Sequence, residues 1–382
     1  MAPDKKKILI VAGEASGDLH GAKVADALLR LNPDVKVWGM GGEHLRRAGA
    51  EILIDSSRLA VVGLTEVLGR MGSLYRAYRN LKGLIQGGEV SLLLLIDFPD
   101  FNLRLARVAK DAGVPVLYYI SPQVWAWRSG RIRKIAQRVQ KMAVIFPFEV
   151  PLYREAGLGV EFVGHPLMDA FGSDSIPASS GPPEKEWKGS PLIALLPGSR
   201  QKEVISLLPE MIRGAQIITC RKPDARFLLA LAPAMASDEI RRFLPTSGAA
   251  ITLVEGKTYQ AIRAADLVVV ASGTATLETA ILGKPMVIIY RLSALSYWVG
   301  RWMIKVKWIG LANIVAGRRL VPELIQEEAR GERIAEEVLK ILEDEAYRKE
   351  MTAGLAEVGR KLGTPGAAER VAKMALEMIK TE

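Results

Sequence analysis

The stretch Leu192–Glu203, Leu-Ile-Ala-Leu-Leu-Pro-Gly-Ser-Arg-Gln-Lys-Glu, decides the fold class. Five apolar residues stop at Pro197-Gly198-Ser199, and polar residues leading into a helical pattern follow. That order reads as a buried parallel strand, a tight turn and a helix start. Backbone N–H groups at a helix start are unpaired, so the turn suits an anion, and Arg200 adds a charge-assisted fork. A second turn of this kind lies downstream. Asp266–Ala271 reads as a strand, and Ser272-Gly273-Thr274 opens the helix Ala275–Leu282, with Glu278 on its second turn. Two phosphate-suited turns, with an acidic residue placed to hold ribose hydroxyls, point to a nucleoside-diphosphate site. Two ordinary strand–helix corners would read the same way.

Outward from these turns, strand–helix alternation continues in both directions. In the second half, strands are expected at 192–196, 227–231, 250–254, 266–271 and 286–290. In the first half they are expected at Lys7–Ala12, Val35–Met40, Val90–Ile96, Val114–Ile120 and Met142–Ile145. Gly172–Ser190 is rich in glycine, serine and proline and reads as a linker. The fold class is therefore α/β, with two doubly wound, Rossmann-like domains whose strand ends face each other across a cleft. The expected boundaries are 1–171, the linker 172–190, 191–358, and a helical tail 359–382. Helical pattern runs from Glu323 to Thr381 with a break at Gly363-Thr364-Pro365-Gly366.

A chain of 382 residues is long enough for two cores, and 49% hydrophobic with 25% charged residues is ordinary for a globular protein. Cys220 is the only cysteine, which excludes a disulfide framework and suits a reducing compartment. The amino terminus runs into the first strand without a signal peptide, and no apolar run reaches the ~20 residues a bilayer span needs. A cytosolic protein, or one lying on a membrane surface, is expected. The net charge of +10 favours anionic partners. Without zinc-ligand spacing or an RNA-binding signature, nucleic acid is not expected among them.

Several stretches carry candidate chemistry. The glycines at 13, 17 and 21 in Gly13-Glu14-Ala15-Ser16-Gly17-Asp18 and beyond lack the dinucleotide fingerprint, which weakens a nicotinamide or flavin reading. The apolar run ending at Ile96 delivers Asp97-Phe98-Pro99-Asp100-Phe101-Asn102 at a strand's carboxyl end, where ligands bind in open parallel sheets. Asp97 is a candidate general base, and Asp100 is its rival or a cap of the helix Phe101–Ala112. Ser121-Pro122-Gln123-Val124-Trp125-Ala126-Trp127 places two tryptophans in a loop, suited to a sugar face, a lipid interface or a sheet edge. The helix after it carries Arg128, Arg131, Arg133, Lys134, Arg138 and Lys141, a solvated face or a contact for anionic lipid.

In 61–85, Leu64, Val67, Leu68, Met71, Leu74, Tyr75, Tyr78, Leu81 and Ile85 share one helical face among Arg70, Arg76, Arg79 and Lys82. A core helix and an amphipathic lipid-surface segment both fit. In 291–308, Tyr297, Trp298, Trp302 and Trp308 alternate with Arg301, Lys305 and Lys307, which suits a membrane–water interface or a subunit interface. The carboxylates offer no Asp-x-Asp pair for a metal on a diphosphate, so no metal and no cofactor is expected.

The segments 13–18, 96–102, 121–127, Gly164-His165-Pro166, Leu196-Pro197-Gly198-Ser199-Arg200 and Ser272-Gly273-Thr274-Ala275-Thr276-Leu277-Glu278 resemble, in order, those of the lipid-A-disaccharide synthase family. The resemblance implies an inverting, metal-independent GT-B glycosyltransferase at the cytoplasmic face of the Gram-negative inner membrane. Such an enzyme joins UDP-2,3-diacylglucosamine to 2,3-diacylglucosamine 1-phosphate through a β-1,6 linkage and releases UDP. It implies Asp97 as the base and Arg200 as the residue that steadies the departing diphosphate. Gly198, Ser199, Arg200, Ser272, Gly273, Thr274, Glu278 and Asn313 would then bind the nucleotide. Glu14, Ser16, Asp18, Asp100, Gln123 and Trp125 would lie on the acceptor side. Leu64, Val67, Leu68, Met71, Leu74, Trp298 and Trp302 would meet acyl chains or the anionic membrane. The tail would cross back to the first domain or be exchanged in a homodimer. A UDP-N-acetylglucosamine 2-epimerase, a glycosyltransferase with a soluble acceptor, and a UDP-sugar-binding membrane protein without turnover are the competing readings.

Overall fold

The computed structural model describes residues 6–56, 67–127, 130–171, 187, 190–231, 240–244, 248–291 and 307–380, with backbone alone at 67–71, 126 and 127. The linker reading of 172–190, and nearly all of the aromatic stretch 291–308, lie outside the described residues. The chain divides into two units. One comprises Met1–Asp169 with Leu362–Glu382, and the other Ala170–Lys361.

In the first unit the strands are β1 (Lys7–Ala12), β2 (Lys36–Gly41), β3 (Glu51–Asp55), β4 (Leu92–Ile96), β5 (Val116–Tyr119), β6 (Lys141–Val144) and β7 (Gly159–Phe162). They form one seven-stranded sheet in the order β3-β2-β1-β4-β5-β6-β7, with every pair parallel. β4 is the Leu-Leu-Leu-Leu-Ile run and is buried throughout, because helices cover both faces of a parallel sheet and leave no wet side. The chain winds outward through β1, β2 and β3, then returns to place β4 on the other side of β1. That reversal is a topological switch point, and Ala12 pairs with Ile96 across it. The loops after Ala12 and Ile96 therefore leave the sheet side by side.

The second unit repeats the plan. Its strands are β8 (Leu192–Leu196), β9 (Arg226–Leu231), β10 (Ala250–Glu255), β11 (Leu267–Ala271), β12 (Met286–Tyr290) and β13 (Glu323–Ile325), in the parallel order β10-β9-β8-β11-β12-β13. Here the switch point falls between β8 and β11, where Leu196 pairs with Val270. The two glycine turns read from sequence thus emerge next to each other. Strand β13 corrects the helical reading from Glu323 onward: this short segment after Pro322 adds an edge to β12, and helices follow only at Gly331–Glu343 and Glu345–Lys361. The last helix, Ala367–Lys380, packs on the Ala15–Leu31 helix of the first unit.

One more helical reading is corrected, and one of two open readings is decided. The basic helix after Trp127 spans only Arg131–Ala136 among the described residues, and Lys141 belongs to β6. The helix Val67–Gln86 sends Ala77, Leu81 and Ile85 into the core, so this part is a core helix, while Tyr75 stands 62% exposed. No helix among the described residues is long and apolar enough to cross a membrane.

Gly13 shows why the first turn needs glycine. A Cβ there would fall 2.3 Å from the Phe98 ring, which lies across the turn. Gly13→Ala should therefore force a shift of the ring or the backbone and destabilise the first unit by about 1–3 kcal/mol. Urea unfolding reads this directly, and an unchanged midpoint would show that the corner has slack.

Candidate functional site

Asp97 and Phe98 follow β4 with φ of 45° and 49°, two successive side-chain-bearing residues in the left-handed region. Each costs of order 1–3 kcal/mol, and such strain persists only where surroundings enforce it. Here the enforcement is visible. The Tyr118 hydroxyl donates to the Asp97 carbonyl at 2.6 Å, and Asn102 Nδ2 donates to the same carbonyl at 2.7 Å and to that of Ile96 at 3.2 Å. Both side chains are fully buried. Phe98 is the residue before the helix Pro99–Asp111, and its carbonyl accepts from the Asn102 N–H at 3.0 Å. The corner thus turns the Asp97 side chain out of the sheet end. Its carboxyl is pushed above the ordinary aspartate range by burial first and by the Glu14 carboxylate second, against one backbone N–H from Phe98. That is the electrostatic setting of a proton acceptor.

Glu14, Phe98, Pro99, Asp100 and Phe101 line an open pocket of about 570 Å³, with Leu74, Tyr75, Tyr78 and Arg104. One wall is apolar and aromatic, and the rim is charged. Asp100 does not cap the helix: its carboxylate is exposed and pairs with Arg131 at 3.0 Å. Ser16 lies exposed on the first turn of Ala15–Leu31. Asp18, expected on the acceptor side, is buried. It is 4% exposed, and its carboxylate accepts from the backbone N–H groups of Gly42, His44 and Leu45 at 2.6, 3.0 and 3.2 Å. It fixes the Gly41-Gly42 turn and the start of the Glu43–Arg47 helix.

Gln123 and Trp125, beyond β5, do not line this pocket. Trp125 Nε1 donates to Glu149 at 3.1 Å, and its ring meets Phe148 edge-on at 5.1 Å. Glu149 also accepts from Ser121 Oγ at 2.5 Å and from the Phe146 N–H at 3.1 Å. The two tryptophans, expected in a loop, lie on the short helix Val124–Trp127. The buried Glu149 carboxyl anchors that helix, and burial pushes its pKa up to about 7. Leu74 is on the pocket wall. Val67, Leu68 and Met71 lie on the backbone-only first turns of Val67–Gln86, whereas Leu64, Trp298 and Trp302 lie outside the described residues.

In the second unit Gly198, Ser199, Ser272, Gly273, Thr274 and Glu278 line one pocket of about 370 Å³ with Glu203 and Tyr259. Gly198 has φ of +114°, and a Cβ there would meet the Glu203 carboxylate at 2.9 Å. Arg200 precedes the long helix Gln201–Arg221. Its guanidinium is 81% exposed and rests on Glu203 at 3.1 Å, a surface pair weak enough to exchange for a ligand's phosphate. Glu278 is hydrogen-bonded by the Tyr259 hydroxyl and pushed upward by burial. Neither Tyr259 nor Glu203 carried a motif signal in sequence. A larger hollow of about 720 Å³ between the helices Gln201–Arg221 and Gly331–Glu343 lies among helices and contains no strand-end residue.

Asn313, expected on the nucleotide side, is not among the residues lining this pocket. It is fully buried, its Nδ2 donates to Val321 O at 2.9 Å and to Glu323 at 2.8 Å, and its Oδ1 accepts from Leu320 and Val321 N–H at 2.8 and 2.9 Å. An amide has no further bonds to give. Glu323 in turn accepts from the N–H groups of Ile309 and Gly310 at 2.9 and 3.0 Å. The pair ties the Ile309-Gly310 turn to the Leu320–Glu323 segment.

The sequence model described as lipid-A-disaccharide synthetase matches residues 8–375. A lipid-A-disaccharide synthase of Geobacter metallireducens is 49% identical, with 99% of this chain and 98% of that protein covered. One of Coxiella burnetii is 40% identical, covering 98% and 99%. Among solved structures, S. aureus MnaA with UDP superposes with a TM-score of 0.62 at 13% identity, covering 98% of each chain. The glycotransferase of kitacinnamycin superposes with a TM-score of 0.64 at 14% identity, covering 99% and 100%. These structural neighbours share the fold, two parallel α/β units of the GT-B type.

Glu149 supplies a pH signature. Its folded-state pKa lies above the ordinary carboxyl value of 4.5, so between about 4.5 and about 7 the folded protein holds a proton the unfolded chain has lost, and stability falls as pH rises. Glu149→Gln cannot titrate. Wild type should therefore lose stability relative to that variant across this window, as measured by urea unfolding. A constant difference between the two would place the carboxyl in its ordinary range.

Proposed function

The chain belongs to the lipid-A-disaccharide synthase family, glycosyltransferases of lipid A biosynthesis, and we propose that it joins UDP-2,3-diacylglucosamine to 2,3-diacylglucosamine 1-phosphate. The product is the β-1,6-linked disaccharide 1-phosphate, and the co-product is UDP. The observation that carries the catalytic assignment is the clamped corner after β4, with a half-buried carboxylate of raised pKa beside an apolar pocket.

In this reading the second unit holds the donor. The Gly198-Ser199 and Ser272-Gly273-Thr274 turns present backbone N–H groups to the diphosphate, Arg200 leaves Glu203 to join them, and Glu278 takes ribose hydroxyls. The first unit holds the acceptor. Asp97 takes the proton of the acceptor 6-hydroxyl as that oxygen bonds to the donor's anomeric carbon. The bond from that carbon to the diphosphate breaks, its electron pair leaves with UDP, and the configuration inverts. Glu14 faces Asp97 and keeps its basicity high. Leu74 and the aromatic wall receive acyl chains, and the protein works as a peripheral visitor to the anionic cytoplasmic face of the inner membrane.

Asp97→Asn should lower turnover by about 100-fold or more while UDP binding stays intact. UDP release from UDP-2,3-diacylglucosamine, with and without acceptor, reads both the reaction and the variant. Near-normal turnover by Asp97→Asn would remove Asp97 from the role of base. Release independent of the acceptor would replace the transferase reading with hydrolysis. A second measurement tests the Glu14 contribution. A base must be ionised, so the rate falls as pH drops through the raised pKa of Asp97. Glu14→Gln removes the neighbouring negative charge, and the acid limb of kcat/KM should move to lower pH. An unmoved limb would show that burial alone sets the value.

A further inference from the structure

Beside the pocket at the Asp97 corner, the first unit has a second hollow of about 370 Å³, lined by Tyr78, Lys82, Arg104, Arg107, Asp111 and Arg138. Four cations face one carboxylate in a concave surface. Like charges gathered in this way repel unless an anion joins them, so the composition itself points to a negatively charged ligand. The carboxylate compensates little: Asp111 stands 3.9 Å from Arg107, one turn away on the same exposed helix face. Arg138 is steadied by donating to the Leu103 carbonyl at 3.1 Å. The other nearby carboxylate, Asp100, is taken by Arg131. Lys82 and Arg104 have no acidic partner among the described residues.

The two hollows adjoin, because Tyr78 and Arg104 line both. The helix Pro99–Asp111 sets their spacing. At about 1.5 Å per residue, Arg104 lies roughly 7.5 Å and Arg107 roughly 12 Å along the axis from Pro99. Along this helix the lining runs from Phe98 and Pro99, the residues next after Asp97, through aromatic and apolar side chains to guanidinium groups. That is the order of a phosphorylated glycolipid: a hydroxyl to be deprotonated at one end of the sugar, acyl chains on the ring, and a phosphate at the other end. We propose that Lys82, Arg104, Arg107 and Arg138 form a phosphate subsite that grips the anomeric phosphate of the acceptor while its 6-hydroxyl lies at Asp97. The inference rests on the acceptor reading above. Arginine suits the task, since its planar fork meets two phosphate oxygens at once.

The test compares kcat/KM for 2,3-diacylglucosamine 1-phosphate and for the same lipid without its phosphate, in neutral detergent micelles. Wild type should prefer the phosphorylated acceptor by about tenfold or more, the scale of one charge-assisted hydrogen bond. Arg104→Gln/Arg107→Gln should erase most of that preference through a raised KM for the phosphorylated acceptor, with the donor KM unmoved. Both positions are exposed on the helix, and Lys82→Gln offers a second, single variant that should erase part of the preference. Variants that keep the full preference overturn the proposal. So does loss of binding to phosphatidylglycerol vesicles with the acceptor preference intact, since the hollow would then read bilayer headgroups. If wild type turns over neither acceptor, the acceptor reading itself fails, and glucose 1-phosphate titration tests the hollow alone. Salt-sensitive binding lost in the double variant would keep a phosphate site there, and binding retained by that variant, or absent in wild type, would remove it.

Discussion

The carbonyl of Asp97 accepts two side-chain donors at once, from Tyr118 and Asn102, and the rest of the first unit's chemistry depends on that clamp. A chain leaving a parallel strand normally turns through glycine when it needs left-handed backbone. Here Asp97 and Phe98 both occupy that region, at a cost of order 1–3 kcal/mol apiece. Two hydrogen bonds made by fully buried side chains offset part of this, because breaking either would strand a polar group in the core. The gain is positional. Asp97 is held against the Glu14 side of the switch point and Phe98 against Gly13, so the acid, its charged neighbour and the apolar wall are fixed by one short segment.

The same topology is furnished differently in the second unit. At its switch point the turns are built from Gly198 and Gly273, both at positive φ, and no aspartate stands at either turn. The resulting pocket carries backbone donors, Ser199, Ser272, and an acidic residue held by Tyr259. Two invisible supports keep it in shape. Asn313 and Glu323 saturate each other and the loops around them, as Asp18 does for the Gly41-Gly42 turn in the first unit. In each case a polar residue in a notable motif serves the backbone.

Much of this was legible because parallel strands are buried on both faces, and runs such as Leu92–Ile96 and Leu267–Ala271 admit few other readings. The switch-point turns were legible for the same reason, as abrupt ends of those runs. What escaped was of three kinds. Short edge strands, β3, β7 and β13, offer only three to five residues each, too few to show a period. Side chains whose partners are distant in sequence, such as Glu149 with Ser121 and Trp125 or Tyr259 with Glu278, leave no periodic trace. Finally, composition cannot tell a polar side chain that faces a ligand from one that is consumed by backbone N–H groups, and Asp18 and Asn313 are of the second sort.

Electrostatics links the two hollows of the first unit. A carboxylate raised in pKa by burial and by Glu14 is a better base, but it is also close to losing its charge. An approaching phosphate would raise it further, since like charges at short range in a partly dry site repel strongly. Four cations along the adjoining wall change the sign of that problem. With the phosphate neutralised by guanidinium groups, the Asp97 carboxylate meets a ligand of little net charge, and its pKa stays where Glu14 and burial set it. The placement of Arg104 and Arg107 on the very helix that begins at the Asp97 corner makes the two effects inseparable. The element that begins at the Asp97 corner also carries the cations of the adjoining hollow.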